Sequence, residues 1–246
     1  MKKKELLCPS GVIVVIREAT GSDDDIFSGG TAKDYELLNR YLAAIIIEGP
    51  EPGSMTAAKV AEFPLRDKYF ILLASRIFSL SPTLIFQYTW GEGMVPIEYE
   101  IDLEEYLWDY KEDFPLVGTP GYFDQRIPPY PSPFEEWIEI DLGERRVRLN
   151  YLTGVGEAYM LELPEAQKSI NKQLVARNLS LFENNSWHIV KNFMAFTSRE
   201  MVTIRLKLQE VDPEVSGLVT ITNPNTGEIE NISLLGIVDF FFPTKI

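Results

Sequence analysis

WHIVKNFMAFTSREMVTIRLKLQEVDPEVSGLVTITNPNTGEIENISLLGIVDFFFP, residues Trp187 to Pro243, is the stretch from which the rest of the chain is read. Met201, Ile204, Leu208 and Val211 are spaced three, four and three apart, which places them on one face of a helix. Thr197 or Ser198 can cap that helix, and Asp212-Pro213 ends it because proline cannot extend the backbone ladder. Leu218, Val219 and Ile221, a turn at Asn223 to Gly227, then Ile229 and Ile232 give two short strands around a turn. Phe240-Phe241-Phe242-Pro243 closes the stretch. Three consecutive phenylalanines are too apolar to leave in water, so they belong against the chain's own core or a partner.

Composition narrows the function classes. The 246 residues are long enough for one large domain or two small ones. A net charge of −14 argues against a phosphate-tracking nucleic-acid binder and for protein partners. One cysteine (Cys8) and one histidine (His188) fall short of the roughly four ligands of a structural zinc site, and exclude a disulfide framework. Met1-Lys2-Lys3-Lys4 is followed by Glu5 and only a short apolar run, so no signal peptide is expected. No apolar window approaches the roughly 18 residues of a membrane span. The expectation is a chain that works from the cytosol, without membrane or metal.

Upstream, Gly11 to Ile16 forms a β-branched run, and Thr20-Gly21-Ser22-Asp23-Asp24-Asp25 suits a helix start, where hydroxyls cap and carboxylates meet the dipole. Asp34 to Glu48 is expected to be helical, with Tyr35, Leu38, Leu42 and Ile45 on one stripe. Leu65 to Leu80 is a second helix, its face drawn through Phe70, Leu73, Ile77 and Leu80. Thr83 to Trp90 and Val95 to Ile101 give a hairpin around Gly91-Glu92-Gly93. Trp137 to Ile140 and Val147 to Leu149 give another across Gly143. Between them, residues 104–138 mix prolines with Tyr106, Trp108, Tyr110, Tyr122, Phe123 and Tyr130, the texture of an ordered arm lying on a surface.

Thr153-Gly154 lies 133 positions after Thr20-Gly21, each preceded by a strand pattern and followed by an acid (Asp24, Glu157). The same offset lays Phe63 on Phe196, Arg66-Asp67 on Arg199-Glu200, Ala43 on Ala176, and Phe86 to Thr89 on Val219 to Thr222. One feature is out of step: the second stripe maps onto positions 68, 71, 75 and 78, not onto the stripe drawn through Phe70. The expected fold is α+β, two tandem pseudo-repeats of strand(s)-helix-helix-β-hairpin. They occupy residues 1–103 and 139–246, joined by the Pro/aromatic arm at 104–138.

No catalytic constellation emerges. His188, placed beside Trp187 on an apolar helix, has no nucleophile or orienting partner in its spacing. Cys8 would need a histidine near it in space. Gly154-Val155-Gly156 lacks the third glycine of a dinucleotide loop, and Asp23-Asp24-Asp25 lacks the alternation of a calcium loop. Glu104-Glu105 and Glu135-Glu136 are carboxylate pairs of the kind a hydrolase needs, but adjacent acids on a Pro-rich arm fit a solvated face better. Glu144-Arg145-Arg146-Val147-Arg148 is the one basic patch, alternating with apolar residues as a half-exposed strand does.

Several stretches together carry a resemblance. They are Cys8-Pro9-Ser10-Gly11 with the β-run, Arg17 and Thr20-Gly21; the helix and hairpin of Leu65 to Ile101; and Phe196, Arg199-Glu200, Val211-Asp212-Pro213, the hairpin and Asp239-Phe240-Phe241-Phe242-Pro243. They resemble the tailed-bacteriophage family that contains the baseplate hub assembly proteins of contractile-tailed phages. Many members carry Cys-x-x-Cys pairs near the hairpins; here Thr89 to Gly93 and Thr222 to Gly227 contain no cysteine, so no ligand carries over. The resemblance implies a non-enzymatic structural or assembly protein of the phage tail baseplate. It would assemble in the host cytoplasm, reside in the virion, bind other tail proteins, and use no cofactor. Trp108, Tyr110, Tyr122, Phe123, Tyr130, Phe240, Phe241 and Phe242 are the candidate partner-binding residues, since aromatics dominate interface centres. A transient tail assembly chaperone and, from another class, a hydrolase domain are the competing readings.

Overall fold

Strand β1 (Lys3–Leu7) turns back through Ser10 and Gly11 into β2 (Ile13–Arg17), and β3 (Ile46–Glu48) pairs with the other edge of β2. Gly11 sits at φ +82, a left-handed conformation that a residue without a Cβ adopts freely. The computed structural model describes residues 2–28, 33–107, 127, 130, 135–164, 170–212 and 218–241. Alternation along β2 turns Val14 and Ile16 into the core.

Helix α1 (Gly21–Ser28) follows, then α2 (Asp34–Ile45), whose Tyr35, Leu38, Leu42 and Ile45 are all buried as the helical spacing predicts. The helix stops earlier than the expected Glu48. Ile46-Ile47-Glu48 passes directly into β3, where a β-branched pair fits a pleated ladder better than a helix turn, and the open edge of β2 supplies the hydrogen bonds. Short α3 (Ala57–Ala61), capped by the Thr56 hydroxyl, leads to α4 (Leu65–Ser79). Every residue of α4 from Leu65 to Arg76 is buried, so neither expected stripe is its only inward face. Strands β4 (Thr83–Tyr88) and β5 (Ile97–Asp102) form the predicted hairpin.

Beyond the arm, β6 (Trp137–Asp141) and β7 (Arg146–Asn150) pair across Gly143 at φ +95. Helices α5 (Gly154–Glu162) and α6 (Ile170–Ala176) follow, then β8 (Ser180–Glu183) and β9 (Ser186–Ile189). His188 and Trp187 therefore lie on a strand and not on a helix. Asn184 and Asn185 take φ values of 50 and 60 between the strands, the two left-handed residues that a tight primed hairpin turn demands. Helix α7 (Ser198–Val211) opens with a capping box: the Glu200 amide donates to the Thr197 hydroxyl oxygen, and the Glu200 carboxylate accepts from the Thr197 amide. Strands β10 (Leu218–Thr222) and β11 (Ile229–Ser233) and a helical turn, α8 (Val238–Phe241), are the last elements among the described residues. Among the described residues no helix is long and apolar enough to cross a membrane.

The fold is α+β; the first half runs hairpin, two helices, one strand, two helices, hairpin, and the second runs hairpin, two helices, hairpin, helix, hairpin. Shifted by 133 residues, β2 takes the bounds of β7, and the start of α1 becomes the start of α5. Some contacts obey the same shift. The Ala19 amide donates to the Ser79 hydroxyl at 2.9 Å, and the Leu152 amide donates to the Asp212 carboxylate at 3.0 Å.

The cores are shared unequally. One comprises β1–β3, α2, α4 and β4, and it also takes Val219, Ile221, Leu234, Ile237, Phe240 and Phe241 from the end of the chain. The other is smaller: Ile138, Ile140, Val147, Leu149, Leu181, Met201, Ile204 and Leu208, with Tyr130 from the arm. Phe241 stacks on Phe27 with ring centroids 3.6 Å apart, and Arg76 Nε donates to the Phe240 carbonyl at 2.7 Å. Replacing Phe240 by alanine should therefore cost about 3–5 kcal/mol, read as a lowered urea midpoint.

Candidate functional site: a buried charge seam and an open sheet face

Arg66-Asp67-Lys68 opens α4 with three successive charges, all buried: 2 %, 2 % and 0 % exposed. Successive helical residues point about 100° apart, so the three reach in different directions. Arg66 extends to the end of α7, donating to the Val211 carbonyl at 3.0 Å and pairing with Asp212 at 3.3 Å. Asp212 also takes the guanidinium of Arg177 and the Leu152 amide. Asp67 reaches the β1–β2 turn, accepting from the Ser10 amide at 3.0 Å and the Ser10 hydroxyl at 2.5 Å. Lys68 reaches α5, its Nζ 3.3 Å from Glu157, whose other oxygen accepts from Tyr69 at 3.1 Å.

Burial governs the protonation of this seam. It pushes Asp67 from the usual 3.8 up to about 6, against the Ser10 hydrogen bonds and the nearby Arg66 charge that pull downward. It lowers Lys68, with Glu157 pulling the other way. It raises Tyr130 far above the ordinary tyrosine value, and with help from Asp212 it raises Tyr151 to about 12. Cys8 is fully buried, and burial next to Asp67 raises its thiol, so it is held as the neutral thiol and not as a nucleophile. Asp67 borders a cleft of about 180 Å³ walled by Val12, Met55, Phe63 and Pro64, but both its oxygens are engaged by Ser10.

The remaining candidate chemistry is dispersed. His188 is exposed on β9, its Nε2 2.7 Å from the Ser186 hydroxyl. Asp102 caps the turn after β5 through the Glu104 amide, and Glu104, Glu105, Glu135 and Glu136 are exposed. Asp23 grips Arg17 at 2.6 and 2.7 Å and accepts from Thr20, a capping and bracing role. Among the described residues no three His, Cys, Asp or Glu side chains are grouped as metal ligands.

The aromatic candidates divide. Trp108, Tyr110, Tyr122, Phe123 and Phe242 lie outside the described residues. Tyr130, Phe240 and Phe241 are buried in this chain's own cores, one of the two destinations expected for the terminal aromatics. Tyr130 is drawn inward because its ring lies over the Arg66 guanidinium at 4.3 Å and edge-on to Tyr151 at 4.4 Å, and its amide donates to the Pro9 carbonyl.

A different aromatic surface is on the outer face of the sheet β6-β7-β8-β9. Arg148 lies between the indoles of Trp137 and Trp187, at 4.7 and 4.6 Å, and Arg146 stacks on Phe182 at 4.5 Å. Trp137, Arg148, Phe182 and Trp187 are half-exposed, and Ile189 beyond them is exposed. The alternation of Arg146-Val147-Arg148 signals a two-faced strand, but only the pairing of β7 between β6 and β8 brings the tryptophans to it. No family model, no curated protein and no solved structure matches the chain.

Two measurements probe the seam. Asp212→Ala leaves Arg66 and Arg177 buried without their carboxylate and should cost about 3–5 kcal/mol in urea unfolding, whereas an exposed acid such as Glu136 should change stability by under about 0.5 kcal/mol. Asp67 holds its proton more tightly folded than unfolded. Its contribution to stability is therefore fully present below pH 3.8 and is lost as pH rises through about 6. Asp67→Asn keeps an acceptor for Ser10 and should flatten the stability–pH curve across that window.

Proposed function

We propose that this chain is a structural or assembly component of a bacteriophage tail baseplate, docking to other tail proteins without catalysis. The phage assignment is supported by the resemblance carried by Cys8 to Gly11, Thr20-Gly21, Arg199-Glu200 and the Asp239 to Pro243 segment. The observation that carries the docking reading is the outer face of β6–β9. Trp and Arg are among the side chains that concentrate binding energy at interfaces. There Arg148 already fixes both indoles in place, so a partner meets a pre-ordered surface. The buried charges are consumed in joining α4 to the β1–β2 turn, α5 and α7, which supports a rigid docking scaffold.

The two element series, residues 1–103 and 139–246, are read as one ancestral unit used twice, on the 133-residue recurrence of the β2 and β7 bounds, of the α1 and α5 starts, and of the Ala19–Ser79 and Leu152–Asp212 hydrogen bonds. In this reading the chain assembles in the host cytoplasm and stays in the virion, binding neither nucleic acid, membrane nor metal.

Mass spectrometry of purified virions and of tail-assembly intermediates tests the assignment. Peptides of this chain in finished particles are expected. Presence in intermediates alone points to a transient chaperone, and absence from both overturns the phage reading. Trp137→Ala and Trp187→Ala should leave the unfolding midpoint nearly unchanged while weakening co-purification with tail proteins at least about tenfold.

A further inference from the structure

The loop between β3 and α3 wraps a cleft that the buried seam does not fill. Met55 folds back onto Gly49 so closely that a Cβ on Gly49 would collide with the Met55 methyl group, and Met55 in turn packs against the first core. The cleft, of about 180 Å³, lies between this loop, α3, the start of α4 and the β1–β2 turn, with apolar walls of Val12, Pro50, Met55, Phe63 and Pro64. A dry apolar cavity of about 150 Å³ accepts one benzene molecule. A slightly larger cleft therefore takes a six-membered ring, or an alkyl chain of similar bulk, with one or two further heavy atoms.

Its polar groups are three acids and one base: Glu51, Glu62, Asp67 and Lys59. Asp67 is buried whereas Glu51 and Glu62 are exposed, so one carboxylate lies at depth and two at the mouth. Lys59 stands 3.8 Å from Glu51, beyond hydrogen-bond reach. The Glu62 carboxylate has no partner among the described residues. The basic residues on either side of Asp67 are drawn away from it, Arg66 to Asp212 and Lys68 to Glu157. Ser10 occupies one acceptor direction on each Asp67 oxygen, and a carboxylate oxygen has two. Three acids against one base leave an excess of negative charge around an apolar interior.

We infer that this cleft binds a small organic ammonium: a primary amine on an aromatic or short aliphatic body of about seven or eight heavy atoms. The body lies against Met55 and Phe63, and the ammonium lies among the carboxylates. The Phe63 ring adds a face that attracts a cation. A neutral molecule of the same shape keeps the apolar contact and loses the charge attraction, and an anion meets repulsion. The inference does not depend on the phage assignment, since a docking scaffold requires no small ligand.

Titration of the full isotope-labelled chain with benzylammonium, at neutral pH and low ionic strength so that the charges are little screened, tests it by amide chemical shifts. Changes centred on Val12, Met55, Phe63 and Asp67 are expected, with a Kd of about a millimolar. Benzyl alcohol should bind at least about tenfold more weakly, and benzoate should not bind up to about 20 mM. Glu51→Gln/Glu62→Gln, both at exposed positions, should keep the unfolding midpoint and weaken benzylammonium at least about fivefold. Val12→Phe narrows the cleft and should abolish binding; where it also lowers the midpoint, the glutamine double variant decides. Absence of shifts with benzylammonium, benzyl alcohol binding as tightly as the ammonium, shifts centred elsewhere, or a double variant that binds like wild type would each overturn the proposal.

Discussion

Asp212 is the point on which the arrangement of the two element series depends. It ends α7, and its carboxylate receives Arg66 from α4, Arg177 from the segment after α6, and the backbone of Leu152 ahead of α5. Two guanidiniums buried beside one carboxylate would be costly without further partners, and Arg66 finds them in the Val211 carbonyl and the Tyr130 ring. The cluster does not gain much over an apolar contact of equal volume. Its value lies in direction: a charge pair is satisfied in one register only, whereas leucines tolerate sliding.

Asp67 and Glu200 occupy equivalent places near the starts of α4 and α7, and each holds the turn of the hairpin that opens its half, β1–β2 and β6–β7. Asp67 does so through Ser10, out of solvent, and Glu200 through Arg145 at 2.5 Å, at the surface. Burial raises the one, while hydrogen bonds from Arg145 and Thr197 lower the other to about 2. One architectural role thus places two acids at opposite ends of the carboxylate range, because one turn is covered by other elements and the other is not.

Much of this was legible from residue spacing. The α2 stripe, the α7 stripe, the Thr197 cap and the three hairpins at Gly91 to Gly93, Gly143 and Asn223 to Gly227 follow from period, turn chemistry and capping; the strand Lys3–Leu7 that pairs with the run after Gly11 does not. What spacing could not supply was anything decided by a partner element. Ile46-Ile47 became a strand because β2 offered an edge. Trp187 and His188 entered a hairpin because Asn184-Asn185 tolerated left-handed backbone. Nothing in the spacing of Arg66, Asp67 and Lys68 marks them as buried, and only tertiary contacts bury them. The Trp137–Arg148–Trp187 stack joins residues 11 and 39 positions from Arg148, a juxtaposition created by strand order. The aromatic triplet posed the opposite difficulty: its apolarity was plain, and its destination, a core begun more than 200 residues earlier, was not.

That destination bears on how the molecule is made. Leu6, Val14 and Ile16 leave the ribosome more than 200 residues before Val219, Ile221, Phe240 and Phe241, which complete the hydrophobic cluster they begin. Synthesis at about 5–20 residues per second separates the two ends by many seconds. Throughout that interval the opening strands and α4 carry an unsealed apolar surface, a natural ligand for chaperones. Without residues 218–241 that surface stays exposed, so the first core is sealed only when this late segment has docked.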